Sequence, residues 1–202
     1  RDNQGLAALG TETSRKRVEE FLTNDSQRKR LTAARQLVEI GNPASLSAMA
    51  DAMGELEDPE ELRSLAYELL RSQKLDKIIE RADSGSGVVR KLAYRALGKK
   101  AIEEGAGDRV FDKLVKGTKS GDEDIRAASA RAIGAYANQK ALDRLGKLAD
   151  DSSAEVRAGV AHGLSYFKKG QKFDLLVDYL DDESPKVVAA AIGAMEARNE
   201  AT

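Results

Sequence analysis

The chain has one histidine, His162, and neither cysteine nor tryptophan. An imidazole acts as general base only with an orienting partner at contact distance, and the sequence singles none out. Without cysteine there is no thiolate nucleophile, no zinc finger and no disulfide framework. Carboxylates are abundant, but a general-acid pair needs two of them in different environments across a pocket, and no pair here stands apart from the rest. The SGSG run, Ser84 to Gly87, lacks the lysine and the spacing of a phosphate-cradling loop and reads as a connection between helices. No catalytic, metal-binding or cofactor-binding residue is therefore expected.

Recognition by charge is the chemistry left. Four short segments echo one another: Leu75-Asp76-Lys77-Ile78, Phe111-Asp112-Lys113-Leu114, Leu142-Asp143-Arg144-Leu145 and Phe173-Asp174-Leu175-Leu176. Lys77, Lys113 and Arg144 share one column of this echo, and Lys116 and Lys147 share the column three further on. These five are the candidate partner-binding residues, a basic strip suited to an acidic protein surface. The strip stops at Leu175 and Asp178, and Asp76, Asp112 and Asp143 beside the cations allow the plainer reading of a solvated helix face.

The elements that must position these residues follow from a second echo. VRAGVAHGLS from Val156 has near copies in VRKLAYRALG from Val89, IRAASARAIG from Ile125 and LRSLAYELLR from Leu62, with a looser one in KRLTAARQLV from Lys29 and a last one, VVAAAIGAME, from Val187. The arginine column runs Arg30, Arg63, Arg90, Arg126, Arg157 and then Val188, in steps of 33, 27, 36, 31 and 31 residues by subtraction. Steps of that size and unevenness fit stacked helical pairs joined by loops of varying length. Val156, Val160, Ala161 and Leu164 fall at helical spacing, so each copy forms a first helix, A, with one buried face. The charged echoes begin the second helices, B; the segment 43–56 is a B helix without the echo, and RKRVEEFL, after the tail GLAALG, is another. Polar lead-ins such as Asp122-Glu123-Asp124, Asp151 with Glu155, and Asp181-Asp182-Glu183-Ser184 suit helix starts, and Pro59 and Pro185 suit first turns. Gly41, Gly98 and Gly134 are expected to break the A helices.

Composition agrees. Aromatics make up 4% and charged residues 33% of 202 residues, the profile of a mostly helical protein, and the net charge of −1 offers no global field for nucleic acid or an anionic membrane. No run approaches the roughly 20 apolar residues that span a bilayer. The amino terminus resembles neither a signal peptide nor an initiator start, so the chain reads as part of a longer one in a cytoplasmic setting.

The segments Val89-Arg90 with Ala96-Leu97-Gly98, Ile125-Arg126 with Ala132-Ile133-Gly134, and Val156-Arg157 through Leu164 resemble the HEAT-repeat superfamily, especially the HEAT-like repeats of the phycobilin-lyase type. The resemblance implies a right-handed α-solenoid of stacked antiparallel helix pairs, HEAT-like or armadillo-like, over 1–202: a partial repeat 1–23, repeats near 24–56, 57–83, 84–119, 120–150 and 151–181, and a terminal partial repeat 182–202. It implies a non-catalytic scaffold that binds another protein on the concave face of its B helices, with a bilin-lyase subunit as the alternative and a nucleic-acid-binding protein behind it. Some HEAT-type enzymes hold iron through paired His-Glu motifs, which one histidine cannot build. Some HEAT-like proteins are DNA glycosylases, which rely on aromatics, whereas Tyr67, Tyr94, Phe111 and Phe173 are expected at helix-packing positions. The resemblance also implies that an acid six residues before the arginine joins it in a ladder. Asp151 and Glu57 stand there before Arg157 and Arg63, but Asn24, Ser84 and Ser120 precede the others, and Val188, six after Asp182, is expected to break the ladder.

Overall fold

The computed structural model describes residues 11–54, 56, 59–104 and 107–199, so GLAALG and Glu57 lie outside the described residues. Among these residues every regular element is a helix: α1 Glu12–Glu19 with a 3-10 extension Glu20–Thr23, α2 Gln27–Ile40, α3 Ser45–Gly54, α4 Glu60–Arg71, α5 Leu75–Arg81 and α6 Gly87–Glu104. There follow α7 Asp108–Gly117, α8 Glu123–Ile133 with a 3-10 turn Gly134–Tyr136, α9 Gln139–Gly146, α10 Ala154–Leu164, α11 Phe173–Asp178 with a 3-10 turn Tyr179–Asp181, and α12 Pro185–Ala197. The even-numbered helices are the A copies and the odd-numbered ones the B copies. No helix is long and apolar enough to cross a membrane.

The helices form two compact units, residues 1–96 and 97–202, divided within α6. In the first, α2 packs on α1 and α4, and α4 on α3. Leu22, Leu37, Leu46, Met49, Leu69, Leu70 and Ile78 are fully buried there. In the second, α10 lies between α8 and α12, and Ile133, Leu145, Val156, Val160, Leu164, Leu176 and Val187 form one apolar core. Each such side chain withdrawn from water contributes about 1.5–3 kcal/mol before conformational entropy is set against it.

Repeat spacing in the second unit depends on small residues. A Cβ built on Gly134 would lie 2.1 Å from the Gly163 carbonyl oxygen, and one on Gly159 2.7 Å from that of Ala127. Backbone meets backbone here, so no side chain can move aside. Gly134 follows the last residue of α8, as expected of a break, and also admits the neighbouring repeat; its own backbone stays right-handed and carries the chain into the 3-10 turn. Gly98 lies inside α6, which continues to Glu104, while Gly41, in the left-handed region at φ +67°, does end α2.

The arginine column has one repeated geometry. Nη1 of Arg30, Arg90, Arg126 and Arg157 donates to the two backbone carbonyls six and five residues earlier, at 2.7–3.2 Å. The residue six before the arginine closes the same turn. Side-chain oxygens of Asn24, Ser84, Ser120, Asp151 and Asp182 each accept the N–H two residues on. Only an aspartate has a second oxygen to share. Asp151 thus takes Nε and Nη2 of Arg126, both at 2.9 Å, and Asp182 takes those of Arg157 at 2.7 and 2.9 Å. The ladder therefore links each of these carboxylates to the arginine of the preceding repeat, while the arginine six residues after Asp151 donates to its backbone carbonyl instead. Among the described residues Asp182 is its last carboxylate, and Val188, at the arginine's place, has no guanidinium to supply a further rung.

Candidate functional site

The second unit holds an open groove of about 830 Å³ between α7 and α9. Its floor is aromatic. Phe111 projects from the buried side of α7, and its ring meets Tyr136 edge-on at 4.9 Å and 72°. The Tyr136 hydroxyl donates to the Gly107 carbonyl at 3.4 Å. Burial, with the charge of Asp108 second, pushes that phenol up to about 12, so it stays a neutral donor at physiological pH.

Local sequence sets the far wall. Ala137, left-handed at φ 45°, turns the chain out of the A helix, and Asn138 caps α9 by accepting the Ala141 N–H at 2.9 Å. Capping at that point fixes which face α9 presents: Lys140, Arg144 and Lys147, at spacings of four and three, line the groove together. Lys140 and Lys147 are exposed, and each lacks an ion pair among the described residues. The α7 wall presents Asp108 and Asp112, both exposed and without an ion pair among the described residues. Asp143, also on α9, accepts a hydrogen bond from Gln139 at 2.7 Å. One wall is thus acidic, the other mostly basic, over an apolar floor.

The five strip residues have different surroundings. Lys77 lies on α5 in the first unit, exposed, with its ammonium 2.9 Å from Glu80, whose carboxyl it holds below the ordinary value. Lys113 is buried, so its column does not place it on the surface. Lys116 is exposed on the last turn of α7 but is not among the groove-lining residues. Arg144 is half-buried and donates through Nε to the Thr118 hydroxyl, which itself donates to the Val115 carbonyl. Lys147 is exposed in the groove. Column reasoning missed Lys140, although it stands four residues before Arg144 on the same helical face. It also missed Tyr136, whose only signal is an aromatic directly after an A helix.

His162 is exposed on α10. Neighbouring protein bulk, and then Arg131 on α8, lower its pKa. Arg131 stands at the same place in IRAASARAIG as His162 does in VRAGVAHGLS. Among the described residues no cluster of three or more His, Cys, Asp or Glu side chains is arranged to hold a metal. Phe173, expected at a packing position, is 37% exposed, whereas Tyr94 is buried and Tyr67 lies beneath the Arg95 guanidinium at 5.0 Å.

Solved structures of similar fold include an engineered protein with 20% identity and TM-score 0.54, covering 92% of this chain and 98% of the other. Human deoxyhypusine hydroxylase in complex with glycerol aligns at 15% identity and TM-score 0.52, covering 96% and 77%. A designed armadillo repeat protein in complex with the peptide (KR)4 aligns at 18% and 0.52, covering 96% and 98%. At these identities the likeness concerns fold alone, and the fold serves an enzyme in one case and a peptide binder in another. Among curated proteins none matches. A family model of HEAT repeats matches residues 75–164 and 111–196, more than half of the chain. With the turn-capping residue and its arginine recurring in repeat after repeat, the chain belongs to the HEAT-repeat family, and its fold is an all-α solenoid of helical pairs.

Proposed function

We propose that this chain is a non-catalytic scaffold that holds a segment of a partner protein in the groove between α7 and α9. The observation that carries the reading is the pairing of exposed, unpaired Lys140 and Lys147 on one wall with Asp108 and Asp112 on the other, above the Phe111–Tyr136 floor. Such a groove favours an extended segment with acidic side chains toward α9 and an apolar or aromatic anchor between the walls, since a charged rim around an apolar centre supplies orientation and affinity separately. A designed solenoid of similar fold holds a peptide, which supports a peptide-sized ligand. This keeps an acidic partner but moves the cations that meet it to Lys140, Arg144 and Lys147.

Selection of a random peptide library on the full chain provides the test. Selected peptides should carry Asp or Glu next to an aromatic. Lys140→Glu with Lys147→Glu should weaken them at least about tenfold, the cost of placing like charges in contact. Selected peptides that bind the double variant as tightly as the parent would refute the assignment.

A further inference from the structure

Two arginines of the ladder use their donors within the protein. Arg126 and Arg157 give Nη1 to backbone carbonyls, and Nε with Nη2 to an aspartate. Arg144, on α9, is held differently. Its Nε donates to the Thr118 hydroxyl, while neither Nη1 nor Nη2 has a hydrogen bond or ion pair among the described residues. Both of these nitrogens reach solvent, and Arg144 lines the groove. One end of the guanidinium is thus fixed, and the other offers four free N–H groups.

Thr118 is a rigid anchor. It is 2% exposed and caps the C-terminal end of α7, where its N–H donates to the Leu114 carbonyl at 3.0 Å. Its hydroxyl proton goes to the Val115 carbonyl at 2.7 Å, which leaves an oxygen lone pair for Arg144 Nε. The carbonyl end of a helix also attracts a cation, so charge and hydrogen bond act in the same direction. Asp143, next to Arg144 in the chain, already accepts a hydrogen bond from Gln139. At the same column the preceding repeat has the buried Lys113 and the following one Leu175, so of these three repeats only one places a guanidinium here.

We infer that Thr118 is the positioning residue of the groove: it holds Arg144 by Nε so that Nη1 and Nη2 donate to the two oxygens of one ligand carboxylate, which sets the register of the bound segment. This rests on the reading of the groove as a peptide site. A guanidinium already held at Nε loses little side-chain freedom on binding, and its paired N–H groups match a planar carboxylate. Lys140 and Lys147 are exposed point charges on flexible stems, which follow an acid to several places and fix none.

The probe is the tightest peptide from the library selection, with analogues in which each Asp or Glu is changed in turn to Asn or Gln. Affinities are measured by fluorescence polarisation on the full chain. In the parent, one of these changes should cost at least about tenfold and the others under about threefold. In Thr118→Val, which keeps the shape and removes the hydroxyl, that one change should also cost under about threefold. Thr118→Ser should restore the difference, and Arg144→Lys, which keeps the charge without the fork, should abolish it. A purely structural Thr118 would weaken every analogue alike and leave the ratio unmoved. Circular dichroism confirms that each variant is folded; should Thr118→Val fail to fold, Arg144→Lys decides. A ratio within twofold of the parent's in the deciding variant, or no single acid standing out in the parent, overturns the inference. If Lys140→Glu with Lys147→Glu leaves the affinity of the peptide unchanged, the groove reading itself fails, and the role of Thr118 with it.

Discussion

Replacing Asp151 with serine separates the two jobs that this side chain performs. Serine stands at the equivalent places Ser84 and Ser120, where its hydroxyl still accepts the N–H two residues on. Asp151→Ser therefore keeps the turn and removes only the two bonds from Arg126 Nε and Nη2, each 2.9 Å long. The paired side chains are 17% and 11% exposed, so water screens the pair only partly. Arg126 keeps its bonds to the Ser120 and Gly121 carbonyls, which limits the loss. Charge-assisted hydrogen bonds contribute about 1.5–3 kcal/mol each and do not add fully, so a net cost of about 2 kcal/mol is expected. For a chain of this size that lowers Tm by about 4–8 °C. Urea unfolding followed at 222 nm measures the cost, and a double-mutant cycle with Arg126→Gln isolates the coupling. Acid gives an independent check. The Arg126 hydrogen bond, first among the causes, holds the Asp151 carboxyl below its ordinary value of 3.8. A depressed carboxyl stabilises the fold above its ordinary pKa and loses that contribution as pH falls through the depressed value. The gap between parent and variant should thus be full at neutral pH and close below about 3.8. A cost under about 0.5 kcal/mol at neutral pH, or a gap that stays constant into strong acid, would refute the reasoning.

Further predictions concern packing and charge. Gly134→Ala should destabilise by about 3 kcal/mol or more, because its Cβ meets the Gly163 backbone, whereas Gly193→Ala, with nothing within 4 Å, should stabilise by about 0.5–1 kcal/mol; thermal melts of the two compare them directly. His162, with its pKa lowered in the fold, binds its proton more readily when unfolded. Stability should therefore fall as pH drops through the ordinary value of 6.5, and His162→Gln should flatten that part of a stability–pH curve. Tyr136→Phe removes only a 3.4 Å bond to the Gly107 carbonyl and should cost under about 1 kcal/mol, while Tyr136→Ala, which strips the ring from Phe111, should cost about 3 kcal/mol by urea unfolding.

The fold was legible because four A helices repeat one signature, a β-branched residue or leucine and then arginine, at Leu62, Val89, Ile125 and Val156, and the apolar periodicity survives where the signature does not. The ladder was only half legible. The six-residue interval exists, but it reports a turn in which the arginine holds backbone carbonyls, and these have no side chain to read. The carboxylate reaches back 25 residues to another repeat, a contact that appears only once the repeats are stacked. Glycine posed the same difficulty: Gly134 and Gly41 both follow the end of an A helix, yet Gly134 stays right-handed and admits a neighbouring backbone while Gly41 turns left-handed. At the groove, a column aligned across repeats treated Lys113 and Arg144 as equals. One is buried and the other half-buried, because exposure depends on the helices on either side rather than on column number. Spacing within α9 alone, with Lys140, Arg144 and Lys147 on one face, was the better guide.

The groove assignment is tested most directly by the ring resonances of Phe111 and Tyr136, recorded by NMR while a library-selected acidic peptide is titrated into the full chain. Saturable shifts of both rings are expected, with matching changes at Lys140 and Lys147, and they should disappear in the Lys140→Glu, Lys147→Glu variant. A peptide that binds with the same affinity while both rings stay unmoved would contradict it.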